Sequence, residues 1–253
     1  MRNWIGKSMG LAAAAMCLSL THSAKAETIT ATLENLDPYT FPTVYLANHG
    51  DISGGCGEIE WQGVSSNASP FNGAFDTYCI DLIQDIDFGG TYTYTVGSLS
   101  QAPNPGAYPA GDGTGPMGMA KADEIDELFG ADYAATLLTG QVGEDNREAM
   151  QLAIWNIVYD TDTTVNSGSF YVVSGVDANA ISTANTWLAN AANPQNQVYD
   201  ANDVVALLGA NGAQDQLAVI PCPLPPAAWG GGILLAGVAA MRIRRSMTQT
   251  HTA

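Results

Sequence analysis

Apolar and polar positions alternate with a period of two over several short stretches of this chain, the spacing of half-buried β-strands. Residues 27–34 (Glu-Thr-Ile-Thr-Ala-Thr-Leu-Glu) are the first, followed by 43–48 and 58–62, with Gly54, Gly55 and Gly57 marking turns. Phe75, Tyr78, Ile80 and Leu82 set large apolar side chains among small or polar ones, predicting another strand over 75–82. Asp85-Ile-Asp-Phe-Gly-Gly90 then turns the chain into 91–96, where Thr and Tyr alternate. β-Branched and aromatic residues of that kind suit a pleated surface.

Beyond a Pro- and Gly-rich connection at 101–118 the period becomes helical. Ile125, Leu128 and Phe129 fall on one face and stop at Gly130, an expected C-cap; Tyr133, Leu137 and Leu138 predict a second short helix ending at Gly140. Asp145 with Glu148 three residues on has the form of a capping box, ahead of 149–158, which is apolar on nearly every side. A helix without a polar face belongs in the interior. Residues 170–173 predict a strand, Ile181, Ala184, Leu188 and Ala191 a helix ended by Pro194, and 204–208 one or two further helical turns. Residues 214–220 alternate again as a closing strand. Strands first, helices in the middle and a strand at the end predict an α+β fold, a β-barrel or sandwich with an inserted helical lobe. No internal repeat is present.

The two ends read as addresses rather than as parts of that fold. Arg2 and Lys7 precede an apolar run over 5–20, and Ala24-Lys25-Ala26 follows as a small-x-small cleavage pattern, so 1–26 is expected to be a signal peptide. No formal charge occurs between Asp215 and Arg242, and the apolar run 229–241 ends at Arg242, Arg244 and Arg245. That charge pattern retains a helix end in the cytoplasm, predicting a single C-terminal transmembrane helix in a tail over 221–253. Pro223-Leu224-Pro225-Pro226 precedes the helix. This order of proline motif, short apolar helix and arginine cluster resembles the PEP-CTERM sorting tails of exosortase substrates, in particular the VPLPA-CTERM variant, with Cys222 in place of valine and an extra Pro226. The resemblance implies an inner-membrane-tethered precursor, removal of the tail by an exosortase-type protease, and a mature body at the cell surface or in the extracellular matrix. A plain membrane anchor is the other reading of the same run.

Charge sorts with this division. Of the eight Lys and Arg, six lie in the two end segments, while all twenty-five acidic residues lie between Glu27 and Asp215. The body (27–220, large enough for one core) therefore has only Lys121 and Arg147 as fixed cations. Such a surface repels phosphate backbones, which excludes nucleic acid as a partner.

Candidate chemistry centres on Cys79, one of three cysteines left after 1–26. Gln151 is the second informative residue: an amide inside an apolar helix costs about 1–3 kcal/mol unless hydrogen-bonded, so a partner must meet it, and the Cys79 strand is the candidate. Trp155 lies one turn later on the same face. Tyr78-Cys79-Ile80-Asp81, then Met150-Gln151-Leu152-Ala153-Ile154-Trp155, then Gln214-Asp215-Gln216-Leu217, resemble in order the three motifs of bacterial thioester domains of surface adhesins, with Met150 where threonine is usual (a TQxA-like motif). The resemblance implies an internal thioester between Cys79 and a glutamine, Gln214 by motif position with Gln216 as alternative. It also implies covalent attachment to an extracellular amine-bearing partner without a cofactor. Gln151, Trp155, Tyr78 and Asp81 would support the site, Tyr78 and Trp155 as its walls. The dearth of lysine, Lys121 excepted, fits an acyl group that internal amines must not quench.

Two readings compete with the thioester, an inert buried thiol and a Cys56–Cys79 disulfide, the latter because disulfides persist in exported proteins. The disulfide would make the body a passive structural component of the surface or matrix. An enzyme is not expected: His49 is the body's one histidine and no nucleophile elbow is present. Glu58 and Glu60 beside Trp61 are too common a grouping to indicate a glycosidase. Asp85/Asp87 and Asp160/Asp162 read as solvated turns rather than as metal ligands, because neither continues into a calcium loop.

Overall fold

The computed structural model describes residues 27–67, 71–103, 115–193 and 202–221. The predicted signal peptide, the transmembrane helix and the sorting residues Pro223, Leu224, Pro225, Arg242, Arg244 and Arg245 lie outside the described residues. Among the described residues no helix is long and apolar enough to cross a membrane.

The strands are β1 (Thr28–Asp37), β2 (Thr43–Leu46), β3 (Gly50–Ser53), β4 (Glu58–Ser66), β5 (Ala74–Cys79), β6 (Thr91–Gly97), β7 (Phe170–Ser174), β8 (Asn202–Gly209) and β9 (Gln216–Pro221). The helices are α1 (Gly118–Thr136), α2 (Gln141–Tyr159) and α3 (Ala178–Ala191). Six strands close an antiparallel barrel in the order β1-β4-β5-β9-β8-β6, and β3-β2-β7 form a separate small sheet. The fold is thus α+β, with the barrel alternative realised and the helices inserted between β6 and β8.

Alternation decides which side chains enter the core. On β1, Ile29, Ala31 and Leu33 are buried, while Thr30 and Thr32 turn outward and pair through their hydroxyls with Thr93 and Thr91 at 3.1 and 2.9 Å. An irregularity between Leu33 and Asn35 shifts the register, so that Leu36 is again buried.

Several elements differ from the sequence expectation. The two short helices before Gly140 are one continuous helix, because Ile125, Leu128, Phe129 and Tyr133 form a single stripe packed on the core. That packing outweighs the cost of about 1 kcal/mol for Gly130 inside the helix. Helix α2 begins at Gln141 after Gly140, whose φ of 73° is in the left-handed region that glycine tolerates. Asp145 therefore lies within the helix and not at its cap; its carboxylate accepts from Gln141 Nε2 at 2.7 Å and from Asn179 Nδ2 at 3.3 Å. Residues 204–208 belong to β8, not to a helix. A short apolar run without clear period takes the form its neighbours offer, here pairing with β6 and β9 to close the barrel.

Helix α2 is buried almost throughout, as its all-round apolar face requires. Arg147 fastens it to the barrel. Its Nη2 lies 2.9 Å from Asp37 Oδ2. Nε donates to Asp37 O at 3.2 Å, and Nη1 donates to Thr136 O and Leu138 O at 2.9 and 3.3 Å. One guanidinium thus holds together the end of β1, the end of α1 and the first turns of α2. Arg147→Ala should lower unfolding free energy by about 3 kcal/mol, since it strands the buried Thr136 carbonyl and breaks an ion pair; a denaturant midpoint left unchanged would contradict this.

Candidate functional site

Cys79 is the last residue of β5, where the barrel meets α2. It is 1% exposed. The Gln151 carboxamide grips its backbone on both sides: Cys79 N–H donates to Gln151 Oε1 at 2.9 Å, and Gln151 Nε2 donates to Cys79 O at 2.7 Å. The amide in the apolar helix thus meets its partner on the Cys79 strand. One turn on, Trp155 Nε1 donates to Cys79 Sγ at 3.4 Å. A further turn on, Tyr159 Oη accepts from Leu82 N–H at 2.9 Å and donates to Ile80 O at 3.4 Å. Residues 151, 155 and 159 form one stripe of α2 that holds the strand end and the loop after it. The Tyr159 contribution was not foreseen, although its spacing of four from Trp155 was visible.

The loop turns back on the thiol. Cys79 Sγ donates to Asp81 O at 3.1 Å and accepts from Asp81 N–H at 3.4 Å. Asp81 Oδ1 in turn accepts from Ile83 N–H and Gln84 N–H at 2.9 and 3.3 Å, fixing the turn that follows. Burial pushes the Cys79 thiol far above its ordinary range, so the sulfur is protonated in the resting protein.

Across the barrel wall, Cys79 stands opposite Gln216 in the antiparallel pairing of β5 with β9. Residues opposed in this way project from the same face of the sheet. Gln216 is fully buried. Its Oε1 accepts from Thr77 Oγ1 at 3.1 Å, and Thr77 Oγ1 accepts from Trp61 Nε1 at 2.8 Å. Its Nε2 donates to Gln214 O and to Gln214 Oε1 at 3.3 and 2.9 Å. Gln214, the glutamine preferred from motif position, precedes β9 and has no strand partner; its Nε2 donates to Gln84 O at 3.0 Å. The geometry therefore pairs Cys79 with Gln216 and makes Gln214 the neighbour of the Gln216 nitrogen.

Tyr78 is not a wall of this centre. Adjacent strand residues point to opposite faces, and its ring packs on the outside of the barrel against Phe129 of α1, centroids 5.9 Å apart. Trp61 of β4 is buried instead against Tyr94, centroids 5.5 Å apart, and reaches β5 through Thr77. Trp61 and Thr77 were both missed in the sequence, since their relevance depends on which strands become neighbours.

Cys56 and Cys79 are both free and buried, so the structure does not join them. Cys56 Sγ instead donates to Glu148 O at 3.6 Å. Lys121, the exceptional internal amine, is engaged at the end of α2, donating to Val158 O and Asp160 O at 2.7 and 3.0 Å. The Asp160 and Asp162 carboxylates accept from backbone N–H groups of their own turn, those of Thr161 and Thr164, at 2.7 and 3.1 Å. Among the described residues no group of His, Cys, Asp and Glu is arranged to hold a metal.

Glu58 lies on β4 outside the barrel, apart from the thiol. Burial, reinforced by the Asp76 carboxylate and partly offset by Arg147, pushes the Glu58 carboxyl up to about 7. Asp76 is raised in the same direction by burial and by Glu60. The folded state therefore keeps a proton that the unfolded chain releases near pH 4.3, and the associated stability is full below that pH and lost as pH rises through 7. The protein should be about 3 kcal/mol more stable at pH 4 than at pH 8 from Glu58 alone. Thermal melts across this window should show it, and Glu58→Gln should flatten the curve.

A comparison with protein-family models finds no match, and a comparison with curated proteins finds none either. Among solved structures, the chain is similar to the N-terminal thioester domain of a surface protein from Clostridium perfringens, at 13% identity and a TM-score of 0.42, covering 77% of this chain and 99% of that one. It is also similar to the N-terminal domain of the Streptococcus pyogenes pilus tip adhesin Cpa, at 14% identity and a TM-score of 0.40, covering 75% and 96%.

Proposed function

We propose that this chain is an exported, adhesive surface protein of the thioester-domain type, in which Cys79 and Gln216 condense to an internal thioester. The observation that carries the reading is their cross-strand pairing in a buried, hydrogen-bonded interior. The sulfur attacks the Gln216 carboxamide carbon, a C–S bond forms as the C–N bond breaks, and the thiol proton leaves with the nitrogen as ammonia. Thr77, held by Trp61, already donates to the oxygen on which negative charge develops in the tetrahedral intermediate. Trp155 and Asp81 fix the sulfur, and Gln151 fixes the backbone that carries it. Exclusion of water protects the product from hydrolysis.

An amine of an extracellular partner then attacks the acyl carbon. An amide forms to Gln216, the C–S bond breaks, and the amine proton restores the Cys79 thiol. The process is a single stoichiometric capture without turnover or cofactor, so the protein is a binder and not an enzyme. Residues 1–26 direct export, and the tail over 221–253 tethers the precursor until an exosortase-type protease removes it.

Intact mass tests the reading. The purified protein should weigh one ammonia less than its processed sequence, and methylamine should add to it stoichiometrically. Full mass together with a Cys79 that alkylates on unfolding, or a loss of two hydrogens reversed by reductant, would sink it.

A further inference from the structure

A chain of hydrogen bonds with a fixed direction runs past the Cys79 sulfur. It starts at Trp61, whose indole N–H only donates, and ends at the Gln84 carbonyl, which only accepts. Trp61 Nε1 donates to Thr77 Oγ1 at 2.8 Å, which leaves the threonine hydroxyl hydrogen for Gln216 Oε1 at 3.1 Å. At the far end Gln214 Nε2 donates to Gln84 O at 3.0 Å, so Gln214 Oε1 is the atom turned to Gln216 Nε2, 2.9 Å away. The Gln214 backbone oxygen accepts from the same nitrogen at 3.3 Å. The two ends together decide how the Gln216 carboxamide lies, with its oxygen to Thr77 and its nitrogen to Gln214.

The two sides of that carboxamide differ in access. Thr77 and Trp61 close the oxygen side, each 1% exposed. On the nitrogen side Gln214 is half-buried and lines a pocket of about 130 Å³ together with Leu33, Asp85 and Phe88. Phe88 is 45% exposed, which carries this pocket to the surface.

We propose that Gln214 accepts the leaving nitrogen of Gln216 when the thioester forms, and that this pocket is the path by which ammonia departs. The inference rests on the thioester reading. As the C–S bond forms and the C–N bond breaks, the nitrogen departs with its own two hydrogens and the thiol proton. In the carboxamide its lone pair is shared with the carbonyl. Once sulfur has added, the nitrogen is an amine, takes the proton and carries positive charge. The two Gln214 oxygens meet that charge only then, so they favour breakdown of the tetrahedral intermediate over the resting carboxamide. Thr77 acts on the oxygen and Gln214 on the nitrogen of one group.

The same contacts serve the reverse reaction, which gives the test. Ammonium chloride in mildly alkaline buffer should convert the thioester back to Gln216 and free thiol, and desalting should let the mass deficit return; intact mass against time reads both rates. Gln214→Met keeps the length of the side chain but removes the acceptor, and should slow opening and return alike by about tenfold. Gln214→Glu, the conservative change that keeps an acceptor while losing the donor to Gln84, should recover most of the rate. A Gln214→Met protein as fast as wild type overturns the proposal. Equal slowing in both variants overturns it too, since the side chain would then act by bracing the Gln84 loop. A wild-type deficit that ammonia never removes rules out the pocket as its path. Full mass in the wild type is a different failure, that of the thioester reading itself, and the proposal falls with it.

Discussion

In a Gln216→Ala protein the mass deficit of one ammonia should vanish and methylamine incorporation should fall to background, whereas Gln214→Ala should keep the deficit. The contrast follows from register. Gln216 stands opposite Cys79 across the β5–β9 pair, and its carbonyl is oriented by Thr77. Gln214 lies before the strand, with its own amide turned to Gln84 O. Motif order alone ranks the two glutamines the other way, so paired mass spectra of the two variants decide between register and motif position. Retention of the deficit in Gln216→Ala together with its loss in Gln214→Ala would reverse the assignment. The effect is all-or-none, because one carbonyl carbon is the whole electrophile.

Gln151→Leu should produce the largest loss of stability, about 3–5 kcal/mol, and lower the melting temperature by roughly 10 °C. The side chain makes no contribution through charge. It satisfies the N–H and the C=O of Cys79 where no water reaches, and leucine leaves both stranded. The same change should release the end of β5 and slow thioester formation in whatever fraction folds. A variant with native melting temperature would show that Cys79 finds other backbone partners, and the gripping role of α2 would then be lost.

Much of this architecture was legible in the pattern of apolar positions. The Thr–Tyr run of β6, the alternation of β1 and the all-round apolar α2 each follow from local physics: side-chain period, β-propensity and the need to bury an unpolarised helix. Gln151 was also legible as a demand, because an amide in such a helix must be answered by something. The end of β5, the candidate partner, answers it at both the N–H and the C=O of Cys79. The sequence carried no signal for β8 as a strand, since its five apolar residues in a row lack a period. Closure of the barrel, which needs that strand, could not be read from it.

Tertiary pairing decided the rest. Whether Tyr78 faces the thiol or α1 depends on which face of β5 turns inward, and that is set by the partners β4 and β9, far away in the chain. Gln214 and Gln216 differ by two positions and look equivalent along a line; only where β9 begins, and which of its residues lies across from Cys79, separates them. Trp61 and Thr77 become part of the centre for the same reason. Residue types and spacing along the chain determined that a buried sulfur and a demanding amide would exist. Contacts between segments remote in sequence determined which glutamine stands opposite Cys79, because a barrel's register is a property of strand pairs and not of any one strand.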